Sequence, residues 1–269
     1  MGKKGASMDK HMLDLYLERI GLDEVPPLTP EGLAKIQRAH LENIPFENLD
    51  IQDGKVPLAL DEDSLADKII VRKRGGICYE QNLLYCAVLR AMGFKATMRG
   101  AGARDKFVTP DHAFVMVEFP PADGEGESEF WMTDVGFGMN YALPIKVELG
   151  LVQNDGRDDY RVLEAPDMGE GFLRLWKRPA GGDWEPCMTY EGFREWETDE
   201  FVDRCYYYAT NPNSSFVKGN MICIDLPEQR LTLSSNHVIT TVDGVRTSID
   251  IESEEQFRKI LRTVFKIER

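Results

Sequence analysis

The first third of the chain places its apolar residues at helical spacing. Leu13, Tyr16 and Ile20 recur at intervals of three and four residues, which lines them along one helix face. Thr29-Pro30-Glu31 then supplies an N-cap, a first-turn proline and a first-turn acid for a second helix. The segment from Cys78 to Met92 also has helical spacing. The pattern predicts a small helical bundle in this part of the chain.

The middle of the chain changes to the period of a strand. Ala113–Phe119 is rich in strand-forming residues, Pro120–Glu129 is a turn or loop, and Phe130–Thr133 resumes the extended pattern. Further strands are predicted at Tyr160–Leu163, Phe172–Lys177, Met221–Leu226, Arg230–Leu233 and His237–Val242. Short strands at this spacing favour an antiparallel sheet or barrel. A last helix begins at a capping box, Ser253-Glu254-Glu255-Gln256.

The composition supports a folded core and argues against polyanionic partners. Of the 269 residues, 42% are hydrophobic and 10% aromatic, which suffices to bury a core and is too apolar for a disordered chain. The formal net charge of −14 repels nucleic acid and anionic lipid at long range. We therefore expect neither nucleic acid nor a membrane as a partner.

The cysteines and the N-terminal residues indicate the compartment. The five cysteines are an odd number without a CxxC pair, which predicts reduced thiols and no metal site. Residues 1–7 precede a second methionine, Met8, and are interpreted as a leader or a non-native extension. No apolar stretch follows them as in a signal peptide, and none approaches the ~18 residues of a membrane span. These features predict a cytoplasmic protein.

The most informative stretch runs from Arg74 to Asn82. Two glycines, Gly75 and Gly76, let the backbone turn tightly just before a helix begins. Cys78 therefore lies near a helix N-terminus, where the partial positive charge favours the reactive thiolate. A free cysteine is more often a small buried hydrophobe, and we prefer that interpretation for Cys86. For Cys78, both interpretations remain open on these residues alone.

A thiolate nucleophile needs a base and a group that orients the base. The histidines are His11, His40, His112 and His237. Among them, His112 opens the strongest predicted strand. If His112 pairs with Asp134 in an antiparallel hairpin, the midpoint is residue 123, inside the Pro120–Glu129 turn. Carboxylates are numerous here, so Asp134 also has a simpler interpretation as a turn residue.

Four short stretches follow one another in a characteristic order. They are Asn43–Leu49, Arg74–Asn82, His112 with Asp134–Gly138, and Asn211–Phe216. The first resembles the N-terminal signature of the arylamine N-acetyltransferase family, and the second resembles its RGGxCxExN motif. The third is similar to the family's histidine and DVGFG segments, and the fourth to the start of its lid domain. One motif would be weak evidence, but four in order make the resemblance strong.

The resemblance implies an α+β fold in three parts. These are an N-terminal helical bundle over residues 1–95, a central antiparallel β-barrel over 96–192 and a C-terminal α/β lid over 193–269. It also implies a Cys-His-Asp triad like that of cysteine proteases, which falls on Cys78, His112 and Asp134.

The resemblance further implies a ping-pong acetyl transfer from acetyl-CoA to an arylamine or hydrazine through acetyl-Cys78. The implied acceptor contacts are Phe46, Phe137 and Phe216. The implied donor contacts are Val108, Thr109, Tyr207 and Asn213. Because CoA is anionic and the chain is acidic, the donor site needs local cations or backbone N–H groups.

One departure from the family pattern and several alternative functions remain open. Asp111 precedes His112 where the family usually has a small or apolar residue, and an acid there could raise the histidine pKa or crowd the CoA phosphates. The same triad chemistry would serve a thiol hydrolase or amidase, or a transferase that uses another acyl-CoA. A binding protein that keeps the fold without catalysis is a further alternative.

Overall fold

The computed structural model describes residues 8–121, 124–137, 141–234, 236–242 and 244–268. The interpretation of residues 1–7 as a leader concerns residues outside these ranges. The same holds for Asp123, the predicted hairpin midpoint, and for Gly138 of the DVGFG segment.

Helices dominate the chain up to residue 92. The α-helices of the described residues are α1 Lys10–Ile20, α2 Pro30–Asn43, α3 Leu49–Gln52, α4 Glu62–Ala66, α5 Cys78–Met92, α6 Asp199–Thr210, α7 Ser215–Lys218 and α8 Glu254–Thr263. A π-helical segment, Asp67–Val71, continues α4. The Thr29 side chain caps α2 by accepting from the Gly32 N–H at 3.2 Å, so the predicted helix start is confirmed.

The strands form two antiparallel sheets. They are β1 Phe46–Glu47, β2 Lys95–Ala103, β3 His112–Phe119, β4 Glu129–Thr133, β5 Ile145–Lys146, β6 Gln153–Asn154, β7 Asp159–Glu164, β8 Phe172–Arg178, β9 Glu185–Glu191, β10 Met221–Asp225, β11 Arg230–Ser234, β12 His237–Val242 and β13 Val245–Asp250. The larger sheet has the order β5-β4-β3-β2-β9-β8-β7-β6, and the smaller has β1-β10-β11-β12-β13.

One side chain nearly closes the larger sheet into a barrel. The Lys146 N–H of β5 donates to Gln153 Oε1 at 2.8 Å, and Gln153 Nε2 of β6 donates back to the Lys146 carbonyl at 2.9 Å. The two edge strands are thus joined through the Gln153 amide. The predicted α+β fold with an antiparallel barrel is confirmed, whereas the domain boundaries at 95 and 192 stay predictions.

Three apolar clusters form the core. The largest combines residues of α1, α2 and α5 with one face of β2 and β3, against which α5 packs. A second fills the barrel with residues such as Phe114, Tyr160 and Tyr190. The third lies between β10, β11 and α8 in the C-terminal part. Strand β1 pairs with β10, which ties the N-terminal segment to the C-terminal sheet.

Three long strands, β2, β9 and β13, were not predicted from the sequence. In β2 the apolar alternation is broken by Gly100 and Gly102, where a Cβ would come within 2.9 Å of Trp196 and 2.0 Å of the Lys106 carbonyl oxygen, respectively. In β13 every residue is exposed, so no alternation marks it. The signal for β2 thus depends on neighbours that the local pattern does not contain, and β13 lacks a buried face that a pattern could mark. Within the described ranges, no helix has the length and apolarity needed to cross a bilayer.

Candidate active site

Helix α5 begins at Cys78, and the residues around that start fix its position. The backbone N–H of Ile77 donates to Glu80 Oε2 at 3.1 Å, which satisfies a donor that a helix start leaves free. Gly75 passes so close to the preceding segment that a Cβ would lie 1.8 Å from the Pro45 carbonyl oxygen. Cys78 is buried at the first position of the helix.

The same helix holds the segment that carries His112. The Tyr79 hydroxyl donates to the Pro110 carbonyl at 2.8 Å, and Asn82 Nδ2 donates to the Ala113 carbonyl at 2.7 Å. These two bonds lie on either side of His112, the first residue of β3. Cys78 and His112 are brought together because neighbouring residues of one helix bind neighbouring residues of one strand.

Asp134 binds the ring of His112. His112 Nε2 lies 2.6 Å from Asp134 Oδ2, and both side chains are buried. Asp134 Oδ1 accepts from Asn82 Nδ2 at 2.8 Å and from the Gly136 N–H at 2.9 Å. The carboxylate is therefore held at both oxygens, and Nδ1 is the ring nitrogen that remains for Cys78.

The register of the hairpin differs from the prediction. The ladder pairs Val115 with Thr133, and continuing it would place Gly136, not Asp134, opposite His112. The predicted direct pairing of His112 with Asp134 is thus wrong, since the turn centres one residue later. The two side chains meet beyond the end of the ladder, where His112 is paired with Ala101 of β2 instead.

The environment of His112 favours its charged form. Burial lowers the pKa of the ring, but the Asp134 carboxylate and hydrogen bonds with Asp134 and Cys78 outweigh burial and raise the pKa to about 10. The ring is therefore an imidazolium at neutral pH. Such a cation beside a thiol stabilises the thiolate.

Gly136 lets the loop after β4 lie directly on the start of α5. A Cβ at this position would come within 2.6 Å of the Cys78 Cα and 2.7 Å of Asn82 Nδ2. The Cys78 Cα can move only with the helix start, and Asn82 Nδ2 can move only by giving up its hydrogen bonds to Asp134 and the Ala113 carbonyl. Gly136, the first glycine of the DVGFG segment, thus permits the close approach that brings Asp134 to His112.

His40 and His237 lie elsewhere. His40 is buried and bonds Tyr16 and Gln81, each at 2.7 Å, and burial lowers its pKa to about 4. It is a neutral, packed histidine. His237 is half exposed and bonds Asp250 on the neighbouring strand at 2.7 Å.

The three predicted acceptor residues are aromatic neighbours of the site, in two groups. The Phe137 ring meets the His112 ring edge to face, with centroids 4.6 Å apart. The ring centroids of Phe46 and Phe216 lie 5.8 Å apart, and those of Phe216 and Tyr208 lie 5.6 Å apart. Phe46, Phe137 and Asp134 line one cleft that is partly open to solvent. Tyr208 was missed, although it lies in a run of three tyrosines from which only Tyr207 was chosen.

The predicted donor residues are exposed or half-buried. Val108 is 86% exposed, and Thr109 bonds the Asp111 carboxylate at 3.2 Å. Tyr207 on α6 is 38% exposed. Asn213 lies in the turn before α7, where its N–H donates to Asn211 Oδ1 at 2.8 Å.

A buried group of charges lies beneath the helix start. Arg74 binds Glu47 at 2.8 Å and Asp50 at 3.2 Å. Lys68 Nζ lies 2.7 Å from Glu80 Oε1 and 2.9 Å from Asp50 Oδ2. Lys68 was not predicted, because its partners lie 12 and 18 residues away in the chain.

Comparisons of sequence and of structure with known proteins find similar proteins of one kind, N-acetyltransferases. A family described as N-acetyltransferase matches residues 29–268. The arylamine N-acetyltransferase of Mycolicibacterium smegmatis is 33% identical over 90% of this chain and 86% of its own length. A solved structure from M. smegmatis has a TM-score of 0.84 at 30% identity, covering 95% of this chain and 92% of that one. The Mycobacterium marinum enzyme in complex with CoA has a TM-score of 0.82 at 28% identity, covering 95% and 92%.

Proposed function

This chain belongs to the arylamine N-acetyltransferase family of acyltransferases, and we propose that it acetylates arylamines and hydrazines with acetyl-CoA by a ping-pong mechanism through Cys78. The observation that carries the proposal is the buried chain of contacts from Cys78 to His112 to Asp134. It offers a nucleophile, a proton carrier and a group that orients the carrier.

The first half-reaction loads the enzyme. The Cys78 thiolate attacks the acetyl carbonyl carbon, a new C–S bond forms, and the tetrahedral oxyanion collapses as the C–S bond to CoA breaks. The His112 imidazolium gives its proton to the departing CoA thiolate. Asp134 keeps the ring oriented throughout and stabilises its charged form.

The second half-reaction passes the acetyl group to the amine. The amine nitrogen attacks the carbonyl carbon of acetyl-Cys78, and neutral His112 accepts the proton lost from nitrogen. Collapse of the tetrahedral adduct expels the Cys78 thiolate and restores the starting pair. Weakly basic aromatic amines suit this step, because they are neutral at neutral pH and keep a free lone pair on nitrogen.

The two substrates would approach from different sides. Phe46, Phe137 and Phe216 would contact the aromatic acceptor. The Phe137 ring beside His112, the cleft lined by Phe46 and Phe137, and the contact of Phe216 with Phe46 support this role. Val108, Thr109, Tyr207 and Asn213 would contact CoA. For Val108 and Thr109 the support is their place just before His112, and for Tyr207 it is the contact with Arg204, which binds Asp111. For Asn213 the support is its exposed place in the turn before α7.

Initial-rate kinetics test the proposal. With acetyl-CoA and an arylamine both varied, double-reciprocal plots should give parallel lines and N-acetylated amine as the product. His112→Ala should lower kcat by about 10²–10⁴-fold, whereas the control His237→Ala should leave it within about twofold. Intersecting lines would contradict the ping-pong order. Release of acetate without amine acetylation would favour the hydrolase, and turnover only with propionyl- or malonyl-CoA would favour another donor.

A further inference from the structure

Asp111 forms an ion pair with Arg204 directly beside the candidate site. Arg204 Nε donates to Asp111 Oδ1 at 2.6 Å, and Nη2 also contacts this carboxylate. Asp111 immediately precedes His112, and Arg204 lies on α6, far along the chain. The pair therefore joins the strand of the candidate base to a helix of the C-terminal part.

Two of the residues expected to meet the acyl donor, Thr109 and Tyr207, lie beside this pair. Thr109 Oγ1 lies 3.2 Å from Asp111 Oδ1, and the Arg204 guanidinium lies 4.3 Å above the Tyr207 ring. The Tyr208 ring lies 4.8 Å from the same guanidinium. The side chains of Arg204 and Asp111 are 24% and 25% exposed, so a ligand that touches Thr109 and Tyr207 can reach them.

The charges of Asp111 and Arg204 determine how the pair interacts with the phosphates of such a ligand. A CoA thioester carries several negative phosphate charges, and the chain carries a net charge of −14. A guanidinium binds phosphate through two parallel hydrogen bonds, which makes Arg204 a suitable phosphate partner. Its Nε and Nη2 donors already bind Asp111, so they are not available to a phosphate placed there.

We propose that Asp111 is a specificity-determining residue that weakens the use of phosphate-bearing acyl donors, because it holds Arg204 away from a donor phosphate. This inference rests on the proposed function. Donors without phosphate do not depend on Arg204. Asp111 therefore reduces the difference between the rate constants for CoA thioesters and for simple acyl esters. The unusual acid before the histidine thereby acts on donor choice.

A ratio of two rate constants tests this inference. Acetylation of Cys78 is followed with acetyl-CoA and with 4-nitrophenyl acetate. The second-order rate constant for acetyl-CoA is divided by the one for 4-nitrophenyl acetate, so that changes in the thiolate itself cancel. Asp111→Asn should raise the ratio about 3- to 10-fold, and Arg204→Met should lower it. The double variant should match Arg204→Met alone, because Asp111 acts through Arg204.

Asp159→Asn is the matched control. Asp159 binds Arg178 at 2.6 Å on the barrel, so its loss removes a similar pair and should not change the ratio. The gain in Asp111→Asn should also shrink as ionic strength rises. An unchanged or lower ratio in Asp111→Asn would overturn the inference while leaving the proposed function intact. Failure of wild type to form acetyl-Cys78 with acetyl-CoA would instead overturn the proposed function, and the inference with it.

Discussion

His112 is charged at neutral pH because its neighbours stabilise the imidazolium more than burial destabilises it. Asp134 supplies most of this effect from 2.6 Å, and Cys78 adds a hydrogen bond. Asp134 is in turn held by Asn82 and the Gly136 N–H. The protonation state of the candidate base thus depends on a network of hydrogen bonds rather than on one contact.

The pKa of His112 makes the stability of the protein depend on pH. The folded pKa of about 10 exceeds the 6.5 of an ordinary histidine, so the contribution is complete below pH 6.5 and is lost as pH rises through 10. Asp134→Asn should therefore lower the free energy of unfolding by about 3–5 kcal/mol near pH 6, and by less towards pH 10. Urea unfolding across this range measures the difference. A difference that does not change with pH would contradict the assigned charge.

Asn82 should act as a positioning residue for Asp134. It donates to Asp134 and to the Ala113 carbonyl and accepts from the Val135 N–H, so Asn82→Ala frees the Asp134 segment. We expect kcat/KM to fall about 10- to 100-fold, by analogy with the loss of groups that orient metal ligands. Asn154→Ala removes an equal 2.8 Å Asn–Asp contact at an exposed site and should have little effect. Equal losses in both variants would contradict the role of Asn82.

Single residues also show how far the sequence predicts the site. Cys78, His112 and Asp134 could be chosen because motifs mark them. The role of Asn82 could not be read, because its partners lie 31 and 52 residues away. The pairing of Asp111 with Arg204 could not be predicted for the same reason, because the two residues are 93 positions apart in the sequence.

At the scale of elements, helix α5 positions the site. Its first residue is Cys78, its second and fifth bind the segment around His112, and its third, Glu80, caps its own start. Lys68, in the π-helical segment, forms a buried ion pair with Glu80 at 2.7 Å. Burial opposes the charge of Lys68, but Glu80, Glu47 and Asp50 outweigh burial and raise its pKa.

Loss of the Lys68 charge should destabilise the protein strongly. Lys68→Met would leave Glu80 and Asp50 buried without this partner, so the free energy of unfolding should fall by about 3–5 kcal/mol. Adding Glu80→Gln should recover part of the loss, since one unpaired charge is removed. The control Lys95→Met breaks an exposed contact with Glu118 at 3.5 Å and should cost less than about 1 kcal/mol. Similar losses in both single variants, by chemical denaturation, would contradict this account.

The elements that the sequence predicts well are those with local signals. Helices α2 and α5 have caps and end signals within a few residues, and β3 has a strong run of strand-forming residues. Strand β2 is fixed by contacts of its glycines with Trp196 and the Lys106 carbonyl, which no local pattern contains. The β3–β4 register likewise depends on the detail of a turn, and the prediction missed it by one residue at the turn centre.

At the scale of the whole molecule, distant segments complete the site. Strand β1 pairs with β10, and Asn48 Nδ2 donates to the carbonyls of Phe216 and Gly219, each at 2.8 Å. These contacts hold the C-terminal sheet and Phe216 against the N-terminal part. The net charge of −14 then sets the field through which a charged donor must approach.

This field predicts an effect of salt on the donor alone. The protein and acetyl-CoA repel one another, so the KM for acetyl-CoA should fall as ionic strength rises from about 0.01 to 0.15 M, where the Debye length shortens from roughly 30 to 8 Å. The KM for a neutral arylamine should stay constant. Steady-state kinetics at several salt concentrations provide the check. A KM for acetyl-CoA that rises with salt would show that local attraction exceeds the repulsion.

The most direct test of the central claim is the intact mass of the protein after incubation with acetyl-CoA in the absence of amine. We expect wild type to gain one acetyl group and to lose it when an arylamine is added, while Cys78→Ala gains none. Cys205→Ala, which removes a buried cysteine of α6, should behave as wild type. Absence of the acetyl group from wild type, or its presence on Cys78→Ala, would contradict the account.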